Sequence, residues 1–176
     1  MTPQNSQLID PEQFVFSVLN LATVTLFRGV LWQSTDLTYT TATGSLFHAY
    51  EEGASDPVAS ITLVDVSGDP TEPNISRFNN DDAARFDAQL KARIERQTTL
   101  VQWNASTLNE ASGIKAMVTP YVALANGEEW QYIAIRTHQH NNAYVLLGAY
   151  AMNKSDTLGP QVLKALGSIT FQDQRA

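Results

Sequence analysis

Residues 121–132 read YVALANGEEWQY, and this stretch decides the fold. Asn126 and Gly127 both tolerate positive φ, which a two-residue hairpin turn requires. The flanking runs, Ile114–Leu124 and Glu129–Thr137, are rich in β-branched and aromatic residues, the composition of strands. Working outward, Ser112-Gly113 and His140-Asn141-Asn142 mark further turns. Beyond them lie two more strand-like runs, Thr99–Leu108 and Ala143–Ala151. The reading is an antiparallel meander. On its third strand Trp130 shares parity with Tyr132 and Ala134, while Ile133 and Ile135 take the other parity. Two apolar parities suit a central strand covered on both sides, which puts Trp130 in the core. Trp103 shares parity with Val101 and Ala105 and reads as part of a packed sheet face.

The segment feeding this meander, Asn80–Gln97, is the clearest helix. Ala83, Phe86, Leu90 and Ile94 form one apolar stripe, and Leu90 is expected to be buried. Asp87, Lys91 and Glu95 are spaced for i,i+4 pairs on another face, and Asn80 or Asp81 reads as the cap. After the meander comes a short helix capped by Ser155 or Asp156, with Val162, Leu163 and Leu166 facing inward. Gly167 ends it, and Ile169-Thr170-Phe171 is a last strand. Upstream, Ser45–Tyr50 and Val58–Val64 read as strands, with a turn over Glu51–Pro57. Ser67–Asn79 reads as a loop, and Gln33–Gly44, rich in Ser and Thr, as a loop or weak edge strand. Nearer the start, Ile9-Asp10-Pro11-Glu12-Gln13-Phe14 carries helix-start chemistry, with Asp10 as cap, Pro11 in the first turn and an Ile9/Phe14 staple. That helix is expected to reach about Asn20. Ala22, Val24 and Leu26 then alternate as a strand, a longer helix to Gly29 being the competing reading.

This order of elements resembles the PsbP-like and DcrB-like bacterial proteins, in the same fold group as Ran-binding nuclear import factors and Eag-type secretion chaperones. The resemblance rests on the helix around Phe86, Leu90 and Ile94 leading into the meander. It rests equally on the hairpin at 121–132 and on the ending Tyr144-Val145-Leu146-Leu147, short helix, Leu166-Gly167-Ser168-Ile169-Thr170-Phe171. It covers roughly Leu46 to Phe171, and the apolar stretch 11–32 has no counterpart in it. It implies an α+β fold, an antiparallel sheet meander flanked by helices in an α/β/α sandwich. The expected organisation is a flexible tail at 1–9 and a single domain at 10–176. It also implies a protein that binds other proteins or acts as an accessory factor.

Composition narrows the chemistry. The net charge of −7 repels nucleic-acid backbones and anionic lipid, and no basic stripe is present. The absence of cysteine from this sequence excludes disulfides, thiol catalysis and Cys-ligated metals. Phe14–Trp32 is the most apolar run, but Asn20, Arg28 and Gly29 interrupt it, so no membrane span is expected. The start, Thr2-Pro3-Gln4-Asn5-Ser6-Gln7, is polar and resembles the tether behind a lipoprotein anchor. The expected compartment is therefore the periplasm, lipid-anchored in the native precursor, with the cytoplasm as the alternative.

Several constellations invite a site and are better read as surface or structural groups. His138 and His140, with His48, are metal-ligand types, but the two lie on a polar hairpin end and no acid completes them locally. Ser112-Gly113-Ile114-Lys115 matches S-x-x-K, yet Gly113 interrupts the helical turn that chemistry needs. The acid pairs Glu51-Glu52, Asp81-Asp82 and Glu128-Glu129 sit at turns and a helix start, where carboxylates cap or are solvated. No catalytic residue, cofactor or metal site is expected. The function expected is non-enzymatic protein binding, with a chaperone- or immunity-like partner of a secreted effector as one branch. The alternative is a small-molecule or lipid carrier with a pocket between helix and sheet. Trp32, which ends the apolar run, is the expected exposed contact, with Phe27, Thr38 and Tyr39 around it. The partner is expected to be a protein, and the chain itself a monomer or homodimer.

Overall fold

A computed structural model describes residues 12–15, 22–111 and 113–171. Eleven strands and two helices run in the order β1 (Glu12–Val15), β2 (Ala22–Leu26), β3 (Leu31–Thr38), β4 (Thr43–Tyr50), β5 (Ala59–Asp65), α1 (Asn80–Gln97), β6 (Leu100–Trp103), β7 (Thr107–Ala111), β8 (Ile114–Ala125), β9 (Glu128–Gln139), β10 (Asn142–Ala151), α2 (Ser155–Gly167) and β11 (Thr170–Phe171). A large antiparallel sheet has the order β3-β4-β5-β10-β9-β8-β6, with β7 also paired to β8; a small sheet has the order β1-β2-β11. The result is an α+β fold with one helix on each side of the large sheet.

The hairpin that anchors the sequence reading forms as expected. Asn126 and Gly127 have φ of 51° and 79°, and Ala123 pairs with Trp130 beside them. The next turn is made by His140 and Asn141, both also at positive φ. Helix α1 has the expected bounds, but its cap lies one residue earlier than Asn80. Asn79 accepts from the Asp82 backbone N–H at 2.8 Å, and the Asp82 carboxylate accepts from the Asn79 N–H at 3.0 Å, a reciprocal capping box. Leu90 is buried as expected.

Register sorts the large sheet into two unlike faces. Trp32, Phe47, Ile61, Leu63, Ile133, Tyr144 and Leu146 point to one side and join Val24 and Leu26 of the small sheet and Leu158, Val162 and Leu166 of α2 in the main core. Gly148 lets α2 approach, since a Cβ there would meet Leu166 and Val162 side-chain carbons at 2.5 and 2.9 Å. On the opposite side α1 packs on Met117 through Phe86 and Leu90, with Trp103 and Leu108 closing a smaller core.

The structure corrects three expectations and decides a fourth. Residues 12–15 form a strand paired with β2, Glu12 opposite Leu26 and Val15 opposite Thr23, rather than a helix. Local cap chemistry lost to pairing against a strand rich in Thr and Val; Asp10, Pro11 and residues 16–20 lie outside the described residues. Of the two readings of Gln33–Gly44, the edge strand holds as far as Thr38: β3 is an eight-residue edge strand whose register is set by β4, and residues 39–42 are the turn between them. The run at 99–108 is two strands, split where Asn104-Ala105-Ser106 leaves the ladder. A register shift between Leu100 and Gln102 also ends the parity that grouped Val101 with Trp103, leaving Val101 exposed. In α2, Ser155 is the first helical residue rather than a side-chain cap, and Leu163 is 51% exposed. Leu158, Val162, Ala165 and Leu166 make the inward stripe, and Leu163 is turned away from it.

Candidate functional site

The four residues expected to make a partner surface do not form one. Trp32 is fully buried. Its indole N–H donates to the Phe27 carbonyl at 3.0 Å, and its ring meets Phe27 edge-on at 5.0 Å. Gly29, at φ +92°, makes the turn that folds the two together. Phe27 is buried with it. Thr38 and Tyr39 are exposed at the β3–β4 turn, where the Tyr39 N–H donates to the Ala42 carbonyl. At about 3.3 Å per residue they stand roughly 20 to 23 Å along the chain from Trp32.

The accessible surface lies instead on the α1 side of the large sheet. Cross-strand register aligns Arg136, Val145, Val64, Gly44 and Leu37 in one row. Ala134, Leu147, Thr62, Leu46 and Thr35 form the next, and Tyr132, Ala149, Ser60, His48 and Gln33 a third. Leu37, Leu46, Thr62, Val64, Val145 and Leu147 are only half-buried, whereas Phe47, Ile61, Leu63 and Leu146 on the reverse face are buried. Among the described residues, helix α1 covers the β6–β8 side of this face and no helix covers the β3–β4–β5–β10 side, although Gln33, Gly44 and Ala149 within these rows are buried.

At one end of the open face an aromatic row runs across three strands. Trp103 stacks on Tyr121 at 5.5 Å, Tyr121 on Tyr132 at 5.1 Å, and Trp130 leans on Tyr132 at 6.5 Å. Burial, reinforced by Tyr132, pushes the Tyr121 phenol up to about 12, and burial raises Tyr132 as well, so both stay neutral. Trp130 is half-exposed rather than core, because its parity faces the open side. Beside it, a groove of about 310 Å³ lies between the β4–β5 loop and the β8–β9 hairpin, lined in part by His48, Asp56, Ser60, Glu128, Trp130 and Tyr132. Burial lowers the His48 pKa, which favours the neutral ring, and its Nδ1 is buried without a hydrogen-bond partner.

Part of the polar constellations read from sequence is structural. Lys115 donates to the Phe78 carbonyl at 2.7 Å, and Ser112 lies outside the described residues. Asp82 belongs to the α1 cap, and Glu51 pairs with Lys154 at 3.0 Å. Among the described residues no three His, Cys, Asp or Glu converge as metal ligands, so the histidines are not brought together. Asp87, spaced for an i,i+4 pair with Lys91, instead turns to the sheet. It accepts from the Trp103 indole at 3.2 Å, the Ser106 N–H at 2.8 Å and the Ser106 hydroxyl, tying α1 to the gap between β6 and β7. Under α1, Glu72 accepts from Arg136 Nε at 3.0 Å and from Arg93 Nη1 at 3.4 Å, with both guanidiniums over the Phe86 ring. Among the described residues no helix is long and apolar enough to cross a membrane.

No family model matches the chain, and no curated protein does. Solved structures do. The cyanobacterial PsbP (CyanoP) of Synechocystis matches with a TM-score of 0.58 at 12% identity, covering 97% of this chain and 98% of that one. The fold is PsbP-like. A Bacteroides thetaiotaomicron protein also matches, with a TM-score of 0.53 at 9% identity, over 96% of this chain and 51% of its own. Identities this low establish the fold and leave function to the site.

Proposed function

We propose that this PsbP-like chain is a non-enzymatic accessory protein that recognises another protein through the open face of its large sheet. One observation carries the reading: the two faces of β4, β5 and β10 are unlike, one buried in the main core and the other half-buried and lined by Leu46, Val64, Val145 and Leu147. An apolar surface of this kind with a polar rim is what a protein partner covers. The groove end of the face is acidic: Asp56 and Glu128 both line the groove where the β4–β5 loop and β8–β9 hairpin meet, in a chain of net charge −7. The occupant that fits is a basic segment of a partner protein. The periplasm is the compartment this reading assigns, with a lipid anchor in the native precursor and the cytoplasm as alternative. Kinship with DcrB-like proteins and chaperone- or immunity-like binding of a secreted effector are its finer forms, and they rest on sequence pattern alone.

The test is a photo-cross-linking residue placed at Leu147 or Leu46, with Leu163 on α2 as an equally apolar and more exposed control. Irradiation in the cells that make the protein is expected to give the same discrete protein adduct at Leu147 and Leu46 and none at Leu163. Adducts at Leu163 alone, or at no position, would remove the open face as the recognition surface.

A second reading, as a small-molecule or lipid carrier, has one observation in its favour. An apolar groove of about 420 Å³ lies between β2 and α2, lined by Leu26, Phe27 and Ala165, with Lys164 at its exposed edge. Native mass spectrometry of the protein purified from its own cells would show a retained acyl ligand on this reading and none on the first.

A further inference from the structure

We propose that the groove between the β4–β5 loop and the β8–β9 hairpin holds the guanidinium of an arginine presented by the partner's basic segment. The inference rests on the docking reading above and gives it a point of recognition. Two aromatic rings line the groove, Trp130 and Tyr132, with centroids 6.5 Å apart and planes inclined by 31°. The face of such a ring attracts a cation, Trp most strongly. Two carboxylates, Asp56 and Glu128, line the same groove, and neither is in an ion pair among the described residues. Lys154, at the same end of the sheet, is committed to Glu51. Burial lowers the His48 pKa, which favours the neutral ring, so His48 adds no competing charge to the groove. Carboxylates beside flat π surfaces select a planar, weakly hydrated cation that stacks and donates in a fork at once. Arginine meets that description and lysine does not.

The probe is the peptide acetyl-Gly-Arg-Gly-amide, titrated into the full chain while the three tryptophan indole N–H signals are followed by NMR. The expected result is a saturable shift of the Trp130 indole with that of the buried Trp32 unmoved. The citrulline peptide, isosteric and uncharged, and the lysine peptide should each bind at least about tenfold more weakly. The double variant Asp56→Asn, Glu128→Gln, altered at groove-edge side chains without ion pairs, should weaken the arginine peptide by a similar factor, and Trp130→Ala should abolish peptide binding as read by titration calorimetry. Equal binding of citrulline and arginine, an unchanged affinity in the double variant, or no saturable shift at millimolar peptide would each overturn the proposal. If the shift is absent while the Leu147 adduct still forms, the groove assignment fails and the docking face stands. If neither appears, both fail.

Discussion

Glu72→Gln is expected to remove about 3–5 kcal/mol of folding stability, read from the midpoint of a denaturant titration at constant slope. The Arg136 and Glu72 side chains are 9% and 8% exposed, so their attraction acts away from water. Arg136 uses Nε and Nη2 on Glu72 and leaves Nη1 buried without a partner. Removing the carboxylate charge strands that guanidinium against the Phe86 ring. It also frees the 67–79 loop, which Glu72 ties to the sheet through Arg136 and to α1 through Arg93. Arg93 is more exposed, at 27%, so Arg93→Gln should cost much less. The cost of Glu72→Gln arises from an uncompensated charge. The double variant Glu72→Met, Arg136→Met should therefore recover a large part of it, since a buried pair replaced by apolar groups is often neutral or better. A loss below about half a kcal/mol for Glu72→Gln would place the pair in solvent.

Trp32→Ala should cost about 3–5 kcal/mol, the range for deleting a buried aromatic. The ring sits where the small sheet, α2 and the edge of the large sheet meet, and the variant also orphans the Phe27 carbonyl that the indole satisfies. Tyr39→Ala, at the exposed tip of the same hairpin, should change stability by less than about half a kcal/mol. An equal and small effect of both substitutions in thermal or denaturant unfolding would mean that Trp32 is a surface residue after all.

Trp32 also shows where the sequence stops being informative. Its inward orientation follows from pairing with Ala49, and the polar run Gln33–Gly44 reads equally as loop or weak edge strand, so nothing local says which way Trp32 points. The N-terminal segment misleads for the converse reason. Asp10-Pro11 is good helix-start chemistry, but the partner strand Ala22–Leu26 decides the state of residues 12–15. Where period and turn chemistry agree, as in α1, the 121–132 hairpin and the β9–β10 turn, the reading from residues alone survives nearly unchanged. Trp130 is an intermediate case. Its parity is legible, but which face lacks a cover is a tertiary fact. A signal for it does exist in β5, where Ser60 and Thr62 alternate with Ile61 and Leu63, the pattern of a sheet with one face less protected. The groove is beyond such signals. His48, Asp56 and Glu128 come from β4, the β4–β5 loop and β9, and only the strand order β4-β5-β10-β9 brings them together.

The account turns on a sheet sealed on one face and open on the other. Hydroxyl-radical footprinting of the free protein, read by mass spectrometry residue by residue, measures that difference. Leu46 and Leu147 should be oxidised several-fold faster than Leu63 and Leu146, although all four sit on the neighbouring strands β4, β5 and β10 of the same sheet. Equal protection of all four leucines would mean that the α1-side face is covered, and it would leave no surface there for a partner.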